Sequence, residues 1–285
     1  MNIRVSNKVY RSGEGVPLIL LHAFPIDARM WDECAANLIR MSDERGLDPF
    51  PIWAPDTPGA GDSAIPDAAA TGEIAPDGAY CEALDRVAGA YVSMLHVAGY
   101  SKAIWAGLSM GGYMAMDLQR LYPEVVAGLA LFDTTTAADS PKGRRNRLEV
   151  ARTCLEDNTV DPVMHFALPK SGDSTVKRGN QFQDLMTGWI DDQRPEGLAW
   201  RQRMAAGRLD TSDQLAKIQV PASVISGEND PSSPPEKMRL IAQGMTSTNA
   251  VFTAIPDCGH FSAVEHPDIV AAALVDLVER VGRSA

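Results

Sequence analysis

The chain has 285 residues, 45% apolar and 22% charged, an ordinary composition for a folded globular protein that excludes collagen-like or disordered structure. Its 26 Lys and Arg against 37 Asp and Glu leave a formal charge of -11, which repels a phosphate backbone or an anionic membrane, so neither is expected as a partner. The first residues lack the apolar stretch of a secretory signal, the apolar run Val16 to Phe24 is far too short to cross a bilayer, and the four cysteines form no C-x-x-C pair; a cytoplasmic protein with reduced cysteines is expected.

In chain order, the polar-flanked segments Ile3 to Val5 and Lys8 to Arg11 read as strands, followed by the turn Ser12 to Gly15 and a buried strand from Pro17 to His22. Apolar residues at Met30, Trp31, Cys34, Leu38 and Ile39 recur with a helical period, and Pro49 to Ala54 gives another strand. From Thr57 to Gly78, Pro, Gly, Ala and Asp predict a long surface excursion. Helical spacing returns from Leu84 to Leu95 and stops at Gly99; the strand Lys102 to Leu108 then runs directly into a helix that ends before Pro123, and Val125 to Phe132 is the next strand. Alternating strands and helices call for a mainly parallel sheet covered on both faces.

Between residues 136 and 215 the alternation stops. Four helical stretches are expected there, Arg144 to Leu155, Asp161 to Leu168, Asn180 to Ile190 and Leu198 to Ala206, with 12 basic and 12 acidic residues, so the whole excess of negative charge lies elsewhere. The segment reads as an inserted helical lid (136–215) on a core made of residues 1–135 and 216–285. The core pattern resumes with the strand Val220 to Ser226, a helix from Pro235 to Ala242, a strand from Ala250 to Ile255 and a final helix from Pro267 to Val281.

The sharpest chemical signal is Gly107-Leu108-Ser109-Met110-Gly111, a G-x-S-x-G placed where a strand meets a helix. Such a turn crowds the backbone around the serine, so small residues are needed two positions to either side, and the helix N-terminus behind it favours developing negative charge. A serine needs a base to become a nucleophile, and the base needs an acid to orient it. His260, in PDCGH, and Asp230, in SGEND, both follow strands downstream. Asp133, after the strand ending at Phe132, is the rival acid and Glu228 a more distant one; Asp230 is preferred because it follows the later strand. His22, His96, His165 and His266 read as structural, lid-packing or capping residues, and Arg144, Arg145 and Arg147 as a solvated helix face that an acidic substrate could also meet.

Together, His22-Ala23-Phe24-Pro25, the run from Pro55 to Ser63, GLSMGG, SGEND and CGHFSAVEHP resemble the α/β-hydrolase superfamily along nearly the whole chain. HAFPIDARMW and GLSMGGYMA resemble, within it, the small bacterial esterases, enol-lactonases and cofactor-free perhydrolases of the haloperoxidase-like branch. The resemblance implies an α/β-hydrolase fold and a Ser109, Asp230, His260 triad. It also implies an oxyanion hole formed by the backbone N–H groups of Met110 and of Phe24, although Ala23 stands where glycine is commoner. Phe166, Leu185, Met186 and Trp189 in the lid are expected to shape the substrate pocket.

The expected activity is cleavage of a small carboxylic ester or lactone through an acyl-enzyme. Perhydrolysis and C–C bond hydrolysis remain open on the same residues, and a non-enzymatic ligand receptor on a hydrolase fold is the alternative from another class. An aspartate-nucleophile epoxide hydrolase is disfavoured by Ser109 and by the absence of tyrosine between residues 136 and 215. No zinc-like ligand spacing and no dinucleotide fingerprint occur, so no metal and no organic cofactor is expected, and the chain is expected to be a monomer or homodimer.

Overall fold

The computed structural model describes residues 3–283. Seven strands form one sheet: β1 (Asn7–Arg11), β2 (Leu18–Leu21), β3 (Ile52–Pro55), β4 (Ala103–Leu108), β5 (Val126–Phe132), β6 (Ala222–Gly227) and β7 (Val251–Ile255). Their spatial order is β1-β3-β2-β4-β5-β6-β7, with only β1 antiparallel to its neighbour. The central strands β2 to β6 are apolar and buried almost without break, as strands covered on both faces must be.

The helices of the sheet are α1 (Asp32–Glu44), α2 (Ala68–Thr71), α3 (Ala83–Val97) and α4 (Met110–Leu121). Beyond β5, α5 (Pro141–Glu156), α6 (Asn180–Asp191) and α7 (Pro195–Gly207) precede α8 (Pro235–Gly244), α9 (Ser262–Glu265) and α10 (Pro267–Gly282). The long helix α10 pairs with α1 and packs on β5 and β6, while α4 pairs with α3 and packs on β2, β4 and β5.

Two local expectations are corrected. Residues 3–6 form no strand; Ser6 instead bonds to Asp56 N–H and to Ser63 Oγ, and the sheet edge offered by β3 is taken by β1. The stretch from Thr57 to Gly78 is not wholly irregular, because Asp67 caps α2 and Ile74 bridges to Tyr80. Helix α9, four residues long, was not legible.

Helix α7 is buried nearly all round, including Trp200, Arg201 and Gln202. Its first turn crosses the loop after β3 backbone to backbone: Gly59 has φ +83°, and a Cβ on Gly197 would stand 1.9 Å from the Gly59 carbonyl oxygen. Farther along, Tyr80 N–H donates to Arg203 O (3.0 Å) and Trp200 Nε1–H to Thr71 Oγ1 (3.0 Å). This helix is therefore part of the interior, whereas α5 buries only Ala151 and Cys154, and α6 a single stripe of Phe182, Met186 and Ile190.

Candidate active site

Ser109 stands at the junction of β4 and α4 with φ 54° and ψ -110°, a conformation in the left-handed region that only a constrained turn holds in a non-glycine residue. The two flanking glycines are obligatory for steric reasons. A Cβ at Gly107 would lie 2.1 Å from the Gly111 carbonyl oxygen, and one at Gly111 would lie 2.1 Å from that of Leu21. The turn is pinned further by Ser109 N–H donating to Phe132 O (2.9 Å) and by Thr134 Oγ1 donating to Ser109 O (2.7 Å).

Across the sheet, the loops after β6 and β7 bring two more side chains to this turn. Ser109 Oγ lies 2.9 Å from His260 Nε2, and His260 Nδ1 lies 2.8 Å from Asp230 Oδ2. Asp230 is 1% exposed, and its other oxygen accepts from Ser232 N–H at 2.8 Å. Burial alone would push the Asp230 carboxyl up, but the adjacent His260 and the backbone donors outweigh it and hold it below the usual carboxylate range. For His260, burial works against the charged form, yet Asp230 beside it, with Asp133 and Glu265 farther off, carries its pKa above the ordinary value.

The loop that carries His260 is held by Glu265, which accepts from Gly259 N–H (2.7 Å), Phe261 N–H (3.1 Å) and Ser174 Oγ (2.5 Å). The rival acids lie elsewhere in this arrangement. Asp133 is fully buried with φ 44° and accepts from Gly227 N–H (2.8 Å) through Oδ1, and burial, then the neighbouring Asp230 carboxylate, push it up to about 8. Glu228 is exposed.

His22 is also buried, and its Nδ1 lies 2.9 Å from Ala23 O while Nε2 accepts from Thr57 N–H (2.8 Å). Both ring nitrogens are thus occupied by backbone, and burial lowers its pKa. Of the three arginines at the start of α5, Arg144 pairs with Asp77 and Arg147 with Asp139, while Arg145 is exposed.

Phe24 and Met110 are both buried, one in the turn after β2, where the Phe24–Pro25 peptide is cis, and one at the start of α4, next to Ser109 in the chain. An aromatic wall continues from there. Phe166 meets Phe24 edge to face at 6.1 Å and Phe261 at 6.0 Å, and Phe182 meets Phe261 at 6.3 Å. Phe261 in turn stands edge-on to His260 at 5.4 Å. Of the four expected pocket residues, Phe166 reaches this wall and Met186 lies buried on the same stripe of α6 as Phe182. Trp189 is half-buried and Leu185 is 41% exposed, off that stripe. Phe182 and Phe261 were missed, although the i, i+4, i+8 stripe of α6 and the position next to His260 were available signals.

A model of the alpha/beta hydrolase family matches residues 18–273. The chain belongs to that family. This α/β hydrolase is 25% identical over 189 residues to the pimeloyl-[acyl-carrier protein] methyl ester esterase of Aromatoleum aromaticum, covering 62% of this chain and 74% of the relative. Among solved structures, a thermophilic esterase from Thermogutta terrifontis superposes with a TM-score of 0.80 at 28% identity, covering 97% of this chain and 94% of the other. The enol-lactonase from Burkholderia xenovorans LB400 shares the fold, with a TM-score of 0.75 and 23% identity over 96% of this chain and 97% of the other.

No helix among the described residues is long and apolar enough to cross a membrane, and no group of three or more His, Cys, Asp or Glu among them is placed to hold a metal ion.

Proposed function

We propose that this α/β hydrolase cleaves a small carboxylic ester or lactone through an acyl-enzyme on Ser109. The observation that carries the reading is the continuous relay from Ser109 Oγ to His260 Nε2 and from His260 Nδ1 to Asp230 Oδ2. The esterases among its relatives support ester-type bonds as the target.

In the proposed reaction, Ser109 Oγ attacks the substrate carbonyl carbon while its proton passes to His260 Nε2. The carbonyl oxygen takes the electron pair and is stabilised by the N–H groups of Met110 and Phe24, which need no reorganisation as charge develops. Collapse of the tetrahedral species expels the alkoxide, and His260 returns the proton to it. Water, deprotonated by His260, then attacks the acyl carbon and frees Ser109. Asp230 keeps the proton of the neutral imidazole on Nδ1 and balances the imidazolium that forms. Residues 136–215 act as a lid in this reading, with Phe166, Met186 and Trp189 shaping the acyl site, while Leu185, exposed and off the buried stripe of α6, takes no part in it.

A fluorophosphonate that modifies active serines tests the reading directly. Labelling at Ser109, hydrolysis of p-nitrophenyl acetate, and loss of that activity by about three orders of magnitude or more in Ser109→Ala are expected. An unlabelled wild type, or a Ser109→Ala variant that keeps its turnover, would overturn it.

A further inference from the structure

Arg201 is a cation with no exposed surface, carried by α7 and turned toward the turn after β2. Its guanidinium is held from three sides: Nη1–H donates to Ile26 O (2.7 Å), Nη2–H to Gln193 Oε1 (2.8 Å) and Nε–H to Gly197 O (3.3 Å). It also lies over the Phe24 ring, 5.4 Å from the centroid. None of these partners is a carboxylate. Asp27 and Asp56 act on it only without direct contact; Asp27 is reached through Gln193, whose Nε2–H donates to Asp27 Oδ2 (2.8 Å), and is itself engaged by Arg29. Burial lowers the pKa of Arg201 to about 10, so it stays charged at neutral pH.

A buried cation without a paired carboxylate is expensive, and an apolar side chain of similar length would fill the same space at less cost. What the guanidinium supplies and an apolar chain could not is a rigid fork that ties one end of the turn at Ile26 while its face packs on the side chain of Phe24. One attachment is thus on the Phe24 side chain itself and the other on the backbone two residues after it.

We propose that Arg201 is a positioning residue for the oxyanion hole: from α7 it fixes the turn of Phe24 to Ile26 so that the Phe24 N–H stays aimed at the developing oxyanion. The inference rests on Phe24 being one of the two donors. It makes α7, at the end of the 136–215 segment, a part of the catalytic support and leaves the selective cover to the rest of that segment.

The test uses Arg201→Met and Arg201→Lys in the full chain, with folding checked by circular dichroism and thermal melting. Three quantities are read: kcat and KM for p-nitrophenyl acetate, the inhibition constant of an alkyl trifluoromethyl ketone, and that of a carboxylate product analogue. A misplaced oxyanion donor should lower kcat about tenfold or more in Arg201→Met with KM within about threefold. The trifluoromethyl ketone, which forms the tetrahedral oxyanion, should weaken by the same factor as kcat/KM, whereas the product analogue should bind as before. Arg201→Lys, which keeps the charge and one donor, should fall between Arg201→Met and wild type.

Unchanged kcat and ketone affinity in either folded variant would overturn the proposal, and so would a fall in kcat that the ketone does not follow. Should both variants fail to fold, Gln193→Met, which removes one partner and leaves Arg201, must still weaken the ketone more than the product analogue. Equal effects on the two ligands would overturn it. A wild type that turns over no ester would remove the underlying reading as well, so the two failures are distinguishable.

Discussion

In the proposed reaction, the proton on His260 decides when Ser109 can act as a nucleophile. The base must be neutral, and its carboxylate neighbours raise its pKa above the ordinary value near 6.5 despite burial. In the proposed reaction kcat/KM therefore falls as pH drops through that raised value, and a pH–rate profile should place the acid limb above pH 6.5. Asp230→Asn removes the adjacent negative charge and the preferred tautomer together, so it should move that limb to lower pH and cost about four orders of magnitude in kcat. A limb that stays in place would show that Asp230 does not set the base.

Asp133 behaves differently, because burial and the Asp230 charge keep it protonated up to about pH 8. Unfolded, the same carboxyl ionises near pH 4, so between these values the folded chain binds the extra proton and stability declines as pH rises. Asp133→Asn mimics the protonated form and should lack this slope. Urea unfolding at pH 5 and pH 8 should show the variant gaining on wild type by on the order of 3 kcal/mol across that interval. Its kcat at pH 7 should stay within a few-fold of wild type.

At the scale of elements, α7 differs from the other helices between residues 136 and 215. An alanine within a helix is ordinarily better than glycine, but at Gly197 the Cβ would meet the Gly59 carbonyl oxygen at 1.9 Å. Gly197→Ala should therefore destabilise the chain, by about 1–3 kcal/mol in chemical unfolding, against the sign of helix propensity. Amides of α7 should exchange with deuterium as slowly as those of α4, and those of α5 faster, since α5 buries so little.

The difference between these helices also marks where the sequence stops being legible. The strands, α4 and the elbow announce themselves through local patterns: apolar runs, a helical period, glycines two positions either side of Ser109. The burial of α7 follows from contacts with residues around 26, 59, 71 and 80, more than a hundred positions away, and its sequence shows almost no apolar face. Arg201 looks like any solvated arginine until Ile26 and Gln193 are brought to it. The segment from Ile3 to Val5 fails the other way, because a strand pattern does not show whether a sheet edge is still free.

Across the whole molecule, residues from the proposed lid, 136–215, touch both loops that carry the proposed chemistry. Phe166 packs on Phe24, Phe182 packs on Phe261 beside His260, and Ser174 bonds to Glu265, which holds the His260 loop. The segment can therefore set which acyl groups fit while Ser109 and its relay remain on the sheet. Phe166→Ala or Phe182→Ala removes a wall of the site without removing a donor or a base. Each should raise kcat/KM for p-nitrophenyl octanoate relative to the acetate by about tenfold, because pocket volume discriminates apolar groups by amounts of this order. Leu185→Ala, at a side chain 41% exposed and off the buried stripe of α6, should leave the ratio unchanged and serves as the internal control. Fluorophosphonate labelling of Ser109 should survive in all three. Loss of labelling in a folded Phe166 or Phe182 variant would place the aromatic wall in the chemistry itself, and an unaltered chain-length profile would show that the acyl group lies elsewhere.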